Sequence, residues 1–399
     1  MNIALFSSDF YPSVGGVQEV VRQSAHALSR AGDRPMVFTN RWPKTLPANE
    51  MWEQIPVHRH VFRVPEPNFK QMTGAILVGP WTLRKICRQL KEHGARLIHV
   101  HCVSSNAHYA MAARRRLRLP MVLTLHGELS MDPTRLFQRS SFAQDNLRKA
   151  IEQADVITAC SQQALAEAET FYGKPLGDRA RVIYSGVRVE DFANAVPYVH
   201  PRPYILAIGR LAPQKGFDCL LRACAEVFKH DSSHDLILAG DGPERDALVK
   251  LAHELQIISR IHFFGPASRE TATRLFAGCE LVVTPSRQEA MGIVNLEAMA
   301  AGKAVISTRV GGVPEIVQDG KNGVLVPPES VSDLTAAIMA MLGDSDRRAQ
   351  LAEAGKQRAM EFDWSRINEQ FRRIYSTLIP NRGDVAASDE LPLAISRAS

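Results

Sequence analysis

Short, almost wholly apolar runs alternate along the chain with longer stretches in which apolar residues recur at helical spacing. The runs at Ile3–Ser7, Pro35–Thr39, Val57–Phe62, Leu97–Val100, Met121–Leu125, Val156–Ala159 and Val182–Tyr184 predict strands. Between them, Val17–Arg30, Pro80–His93, Ser104–Leu117 and Gln162–Phe171 predict helices. Strand–helix alternation of this kind implies βαβ units on a parallel sheet.

An extended stretch at Pro197–Pro203 breaks the pattern, which then restarts. Tyr204–Ile208, Leu236–Ala239, Ile261–Phe264, Leu281–Val283 and Ala304–Ser307 predict strands. Gly216–Lys229, Glu244–Leu255, Arg269–Ala277 and Ile293–Ala301 predict the helices between them. The chain closes with helical patterns near Ser332–Leu342, Asp346–Met360 and Ser365–Leu378. The expected architecture is therefore α/β, with two doubly wound, Rossmann-like domains facing a cleft: 1–197 and 203–363, then a helix at 364–379. Residues 380–399 lack apolar periodicity and read as a mobile tail.

At 399 residues the chain is long enough for two ordinary cores. Its six cysteines are scattered, with no C-x-x-C pair, so reduced thiols in a cytosolic protein are expected rather than a zinc site or disulfide framework. No apolar run approaches the ~18–20 residues of a spanning helix. The first apolar run reads as a strand, not as a signal peptide. Charge is uneven: residues 51–150 hold 16 Lys and Arg against 6 Asp and Glu, whereas residues 201–399 hold 23 against 25. A basic face attracts nucleic acid, anionic lipid or phosphorylated substrate. Sparse aromatics and the lack of a nucleic-acid module argue against nucleic acid.

Glycines and charges gather just after the strands of the second domain, at the rim where open α/β sheets bind ligands. Ile208 is followed by Gly209-Arg210 and Lys215-Gly216, Ala239 by Gly240-Asp241-Gly242, and Phe264 by Gly265. The first domain repeats the habit with Gly15-Gly16, His101 and His126-Gly127. Arg210 and Lys215 suit a diphosphate, although two exposed loop cations are an equal reading of the pair alone. Glu289-Ala-Met-Gly-Ile-Val-Asn-Leu-Glu297 sets two carboxylates on either side of a helix start at Gly292, where amides can hold phosphate oxygens. A lone helical Glu is ordinarily solvated, but Leu296, Ala298 and Met299 make the surroundings of Glu297 apolar.

Gly-Arg-Leu-x3-Lys-Gly at 209–216, Gly-Asp-Gly-Pro at 240–243 and Phe-x-Gly at 263–265 resemble the signature of glycosyltransferase family 4 (group 1). So do Pro-Ser-x2-Glu-x2-Gly-x4-Glu-Ala-Met-Ala-x-Gly at 285–302 and Gly-Gly-x-Pro-Glu-Ile-Val-x-Asp-Gly-x2-Gly-x-Leu-Val-Pro at 311–327. The resemblance runs from Gly15 to the helix after Trp364. It implies a GT-B fold and a retaining transferase using a nucleotide-diphosphate sugar, with the first domain binding the acceptor and the last helix crossing back to it. By the same resemblance Arg210 and Lys215 hold the pyrophosphate and Glu297 the donor ribose. Glu289 and the amides of Met291, Gly292 and Ile293 face the transferred sugar and phosphate. His126 lies against that sugar, Gly15 and Gly16 approach the diphosphate, and Gly209, Gly240, Phe264 and Gly265 line the rest of the donor site.

UDP-sugars are the first expectation and GDP-mannose the second, with a glycan or lipid-linked acceptor in cell-envelope or exopolysaccharide synthesis. Neither a metal nor a cofactor is expected. The basic region 51–150, where Trp81, Leu83 and Ile86 interleave with Arg84, Lys85, Arg88 and Lys91, would suit an anionic membrane surface on the cytoplasmic side. Met291 departs from the family, which has an aromatic residue or Leu there, and Gly15-Gly16 lacks the Lys-x-Gly-Gly form of bacterial starch synthases. Asp344-Ser345-Asp346 mimics a metal-binding D-x-D but precedes a helix, so capping is expected. His126 is expected to position substrate rather than act as base, a capping or core histidine being the alternative. His101 is expected to pack or bond backbone, and Glu128 is a weak acceptor-side candidate. Two other readings keep the architecture: a nucleotide-sugar epimerase or glycan phosphorylase, and a non-catalytic nucleotide-sugar scaffold.

Overall fold

A computed structural model of the protein describes residues 1–13, 15–64, 69–131 and 136–379. The stretch 380–399 expected as a tail lies outside the described residues. The first sheet contains β1 (Asn2–Ser7), β2 (Arg34–Asn40), β3 (Asn49–Trp52), β4 (Ile55–His60), β5 (Leu97–His101), β6 (Met121–Leu125), β7 (Val156–Ala159) and β8 (Ala180–Val182). Its order is β3-β4-β2-β1-β5-β6-β7-β8, parallel except for the β3–β4 pair. The second contains β9 (Tyr204–Ile208), β10 (Asp235–Ala239), β11 (Ile261–Gly265), β12 (Leu281–Thr284), β13 (Ala304–Thr308) and β14 (Val324–Val326), in the parallel order β11-β10-β9-β12-β13-β14. These are the two Rossmann-like units of the GT-B arrangement.

The central strands are largely apolar and buried, as strands covered by helices on both faces are. Ile3, Ala4, Leu5 and Phe6 of β1 are all fully buried, and Phe6 stacks on Phe38 of β2 with centroids 4.7 Å apart. Register aligns the carboxyl ends: Ser7 pairs with His101, and His101 with Thr124. In each sheet the chain runs outward on one side of the first strand and returns on the other. The crevices at β1/β5 and β9/β12 are thus the topological switch points where such folds bind ligands.

Some elements differ from expectation. β3 and β14 were not foreseen: the first is a half-exposed antiparallel edge and the second only 3 residues long, so neither carries a strong apolar run. The last strand of the first sheet is Ala180–Val182, shifted toward the N-terminus by pairing with β7. Pro80 was expected at a helix start but lies inside the helix Phe69–His93, where it removes one backbone donor.

The final helix, Trp364–Leu378, returns to the first domain. Its stripe Trp364, Ile367, Phe371, Ile374 and Tyr375 packs into the cluster of Ile3, Leu5, Val21, Leu28 and Leu97. Burial of each large side chain contributes about 1.5–3 kcal/mol, which binds the end of the chain to the domain of its start. Arg372 Nε donates to Asp33 at 2.8 Å, and Tyr375 Oη lies 2.7 Å from His99 Nδ1.

Candidate active site

The rim of the second sheet is drawn together by backbone hydrogen bonds. Gly209 N–H donates to Ala239 O at 3.0 Å and Gly240 N–H to Gly265 O at 2.8 Å, joining the expected glycines of three strands into one strip. Arg210 follows Gly209, is exposed, and has no ion pair among the described residues. Lys215 ends the short turn Pro213–Lys215, and its Nζ donates to Glu289 Oε1 at 2.6 Å. Ser286 Oγ donates to the same oxygen at 2.7 Å. Arg287 fixes this loop from behind, bonding both Asp218 oxygens at 2.8 Å and Glu329 at 2.9 Å.

Gly292 opens the helix Ile293–Ala300 with φ 83°, a conformation that side chains resist. Glu297 lies one turn inside. Burial pushes its carboxyl above the usual range, against the pull of Arg269, whose guanidinium bonds it directly. Arg269 also reaches Asp191 Oδ2 at 3.3 Å and lies over the Phe192 ring at 5.0 Å. The next contributions to the Glu297 shift are the charges of Glu19, from the first domain, and Asp191, so the start of the helix Gly16–Arg30 faces Glu297 across the cleft.

On the first-domain side, Gly15 caps that helix in extended conformation and accepts from Glu19 N–H at 3.0 Å. Glu19 is itself held by Tyr11 Oη at 2.5 Å and by Arg22 at 3.0 Å. His126 follows β6, and its Nε2 lies 3.2 Å from His101 Nδ1. Desolvation brings His126 down to about 4 and His101 well below the ordinary value, so both rings are neutral near pH 7. His101 Nε2 is buried without a partner. An orphaned N–H is rarer than an orphaned lone pair, which favours His101 donating through Nδ1 and His126 carrying its proton on Nδ1. His101 therefore packs, as one arm of the expectation had it, stacked on His126 with centroids 5.5 Å apart and bonded to that ring. Glu128 is corrected: it accepts from His126 N–H at 2.8 Å and Val103 N–H at 3.0 Å, a buried brace between two strand ends rather than an acceptor-side group.

The two halves meet at the loop between the motif glutamates. A Cβ on Gly127 would lie 2.6 Å from the Ala290 Cβ, so only glycine allows this approach. Ser161 Oγ donates to Ala290 O at 2.6 Å, and Ser185 N–H donates to Met291 Sδ at 3.1 Å. The departure at Met291 thus supplies a sulfur acceptor as well as apolar bulk. Glu315 accepts from Gln162 N–H at 2.9 Å and Gln163 N–H at 3.3 Å, capping the helix Gln162–Tyr172 from the other domain.

Glu289, Met291, Gly292, Ile293 and Glu297 therefore share one loop and helix start, with Lys215 joined to it from another strand end and His126 beside it through Gly127. Phe264 packs on Tyr198, with centroids 5.5 Å apart, rather than on these side chains. Arg269, Asp191, Glu19 and Glu315 were not singled out from the sequence. Arg269 carried a signal as a cation in a helix's first turn, where the macrodipole favours acids, and Glu315 as the glutamate of the Gly-Gly-x-Pro-Glu motif at 311–327. Asp344 caps the helix Ser345–Glu361 by accepting from Arg347 N–H at 2.8 Å, which accounts for the D-x-D. Among the described residues no His, Cys, Asp and Glu group is arranged to hold a metal ion.

The chain is 29% identical over 381 residues to the alpha-D-kanosaminyltransferase of Streptomyces kanamyceticus, covering 89% of this chain and 98% of the relative. Its fold matches sucrose-phosphate synthase from Thermosynechococcus elongatus, with TM-score 0.76, 24% identity and coverage of 97% and 100%. Anabaena HepE, solved in complex with UDP, matches with TM-score 0.75, 24% identity and coverage of 95% and 100%. These relatives give no support to an epimerase. The description "Glycosyltransferase Family 4" matches residues 14–191 and "Glycosyl transferases group 1" residues 190–358, so the chain belongs to the group 1 glycosyltransferases of family 4, which transfer sugar from a nucleotide sugar.

Proposed function

We propose that the protein is a retaining hexosyltransferase whose donor is a UDP-sugar, with GDP-mannose second, and whose acceptor is a glycan or lipid-linked sugar of the cell envelope or an exopolysaccharide. The observation that carries the reading is the loop from Lys215–Glu289 to Glu297: a cation, a helix start and a carboxylate in sequence suit diphosphate, transferred sugar and ribose. The UDP held by HepE supports the choice of base. The work takes place on the cytoplasmic side without a metal or cofactor.

In the reaction the acceptor oxygen attacks the anomeric carbon from the face that the diphosphate leaves. The bond from that carbon to the phosphate oxygen breaks, the new glycosidic bond forms, and the acceptor proton passes to the departing diphosphate. Arg210, Lys215 and the amides after Gly292 stabilise the charge that grows on it. Glu289 and a neutral His126 donating through Nδ1 position the sugar, with no covalent intermediate.

The test is slow donor hydrolysis followed by proton NMR with UDP-glucose, UDP-galactose, UDP-N-acetylglucosamine and GDP-mannose. Release of the α-anomer first from one α-linked donor is expected. A first-formed β-anomer, or no turnover and no binding of any donor, would overturn the reading.

A further inference from the structure

Among the described residues, the helix Phe69–His93 leaves one side exposed from Ile76 onward. Ile76, Leu77, Val78 and Trp81 are 65%, 71%, 46% and 69% exposed, although large apolar side chains elsewhere in this domain are mostly buried. Leu77, Trp81, Arg84 and Arg88 are spaced i, i+4, i+7 and i+11, so they form one stripe of about 16 Å along the helix. The opposite side, Ile86 and Leu90, is packed into the core, so the exposed stripe is not a misplaced core face.

Chemistry changes along the stripe. Ile76, Leu77 and Val78 are apolar, Trp81 follows with Arg84 over its ring at 5.5 Å, and cations come after. Arg84, Arg88, Lys91 and Arg116 surround a groove whose single acid is Glu92. Arg115, Arg116 and Arg118, at the end of the neighbouring helix Ser105–Leu117, are exposed on the same basic region. Apolar residues, an interfacial tryptophan and then a row of cations match the layers of a bilayer surface: acyl boundary, carbonyl level, phosphates. An acidic protein partner would answer the cations but not the four exposed apolar side chains ahead of them.

We infer that this helix docks the first domain on an anionic lipid bilayer, with Ile76, Leu77, Val78 and Trp81 entering the interface and Arg84, Arg88, Lys91 and Arg116 meeting lipid phosphates. The inference rests on the proposed function only in giving the docked enzyme a lipid-linked acceptor. Helix Phe69–His93 leads directly into β5, whose end carries His101 beside His126, so docking brings the acceptor side of the cleft toward the membrane.

The experiment is co-sedimentation of the full chain with large unilamellar vesicles of phosphatidylcholine alone or with phosphatidylglycerol. UDP titration of the same proteins monitors the donor site, and light scattering reports self-association. Binding to the anionic vesicles only, weakened at high salt, is expected. Arg84→Gln with Arg88→Gln should weaken it roughly tenfold or more, as each cation near such a surface is worth about fivefold. Trp81→Ser with Leu77→Ser should weaken it at low salt and at high salt alike. UDP affinity should stay unchanged in both variants, which shows that they are folded. Equal pelleting with neutral lipid, no pelleting of UDP-binding wild type, or a dimer that the substitutions dissolve would each overturn the inference. The donor assignment would stand in all three cases, because pelleting needs neither donor nor turnover.

Discussion

Lys215 and Glu289, from two different strand ends, are bonded to each other at 2.6 Å in the cleft. A donor diphosphate must share or take over the lysine, and Glu289 is then released toward the sugar. The two residues therefore respond oppositely to substitution. Lys215→Met should lower donor turnover by ~10²–10³, the loss typical of one charge-stabilising group, and weaken UDP binding. Glu289→Gln should leave UDP binding equal or tighter, because the lysine loses its competing carboxylate, while turnover still falls. Calorimetry and hydrolysis rates check both. Weaker UDP binding in Glu289→Gln would show that the carboxylate supports the diphosphate site rather than competing for it.

Arg269 sets the ionisation of Glu297. Burial raises that carboxyl and the guanidinium opposes the rise. Ribose hydroxyls donate best to the ionised form, so UDP affinity should fall as pH drops toward the raised value. Removing the cation in Arg269→Ala should move the midpoint upward, with the greatest loss of affinity at mildly acidic pH and recovery at alkaline pH. Titrations between pH 5 and 8 test this. Identical midpoints in the two proteins would mean that Glu297 does not titrate in binding.

The first domain carries a group of histidines whose burial suppresses protonation: His58, His60 and His126 are lowered to about 4, and His99 to about 3. The unfolded chain takes up protons near 6.5 and the folded chain only below those values. Stability is therefore full above pH 6.5 and is lost as pH falls from 6.5 toward 4, by up to ~1.4 kcal/mol per pH unit for each group. Glu128, raised by burial, opposes this trend at the low end. Urea unfolding at pH 7, 6 and 5 should show a steep decline, and the half-buried His58→Gln should flatten it. A pH-independent stability would contradict the buried neutral state.

Glu315 holds the halves together by capping a helix of the other domain. A lost cap costs about 1 kcal/mol, so Glu315→Ala should bias the unliganded protein toward an open form and weaken UDP roughly fivefold. Solution scattering should give a larger radius for the variant than for wild type without ligand, and similar radii with UDP. Unchanged scattering and affinity would reduce the contact to a local cap.

Much of this was legible in the sequence because the rim is written locally. β9 and β10 are buried apolar runs followed at once by glycine, and the run of β12 leads within a few residues to the Glu-x7-Glu element, so Gly209, Gly240, Glu289 and Glu297 could be placed by counting. Pairings across the cleft could not. Glu315 and Gln162 are 153 residues apart, and only the fold brings them together. The edge strands Asn49–Trp52 and Val324–Val326 escaped because exposure or brevity erased the apolar run. Pro80 misled because proline favours the first turn of a helix, whereas here it stands in the interior of Phe69–His93 at the loss of one backbone donor.

The central claim, that the Lys215–Glu297 rim is a nucleotide-sugar site, is tested most directly by calorimetric titration of wild type and Glu297→Ala with UDP and GDP. Saturable 1:1 binding of UDP by wild type is expected, weakened at least tenfold in the variant, as loss of a hydrogen bond to a charged group costs about 1.5–3 kcal/mol. Equal affinities in the two proteins, or no binding of either nucleotide by wild type, would contradict it.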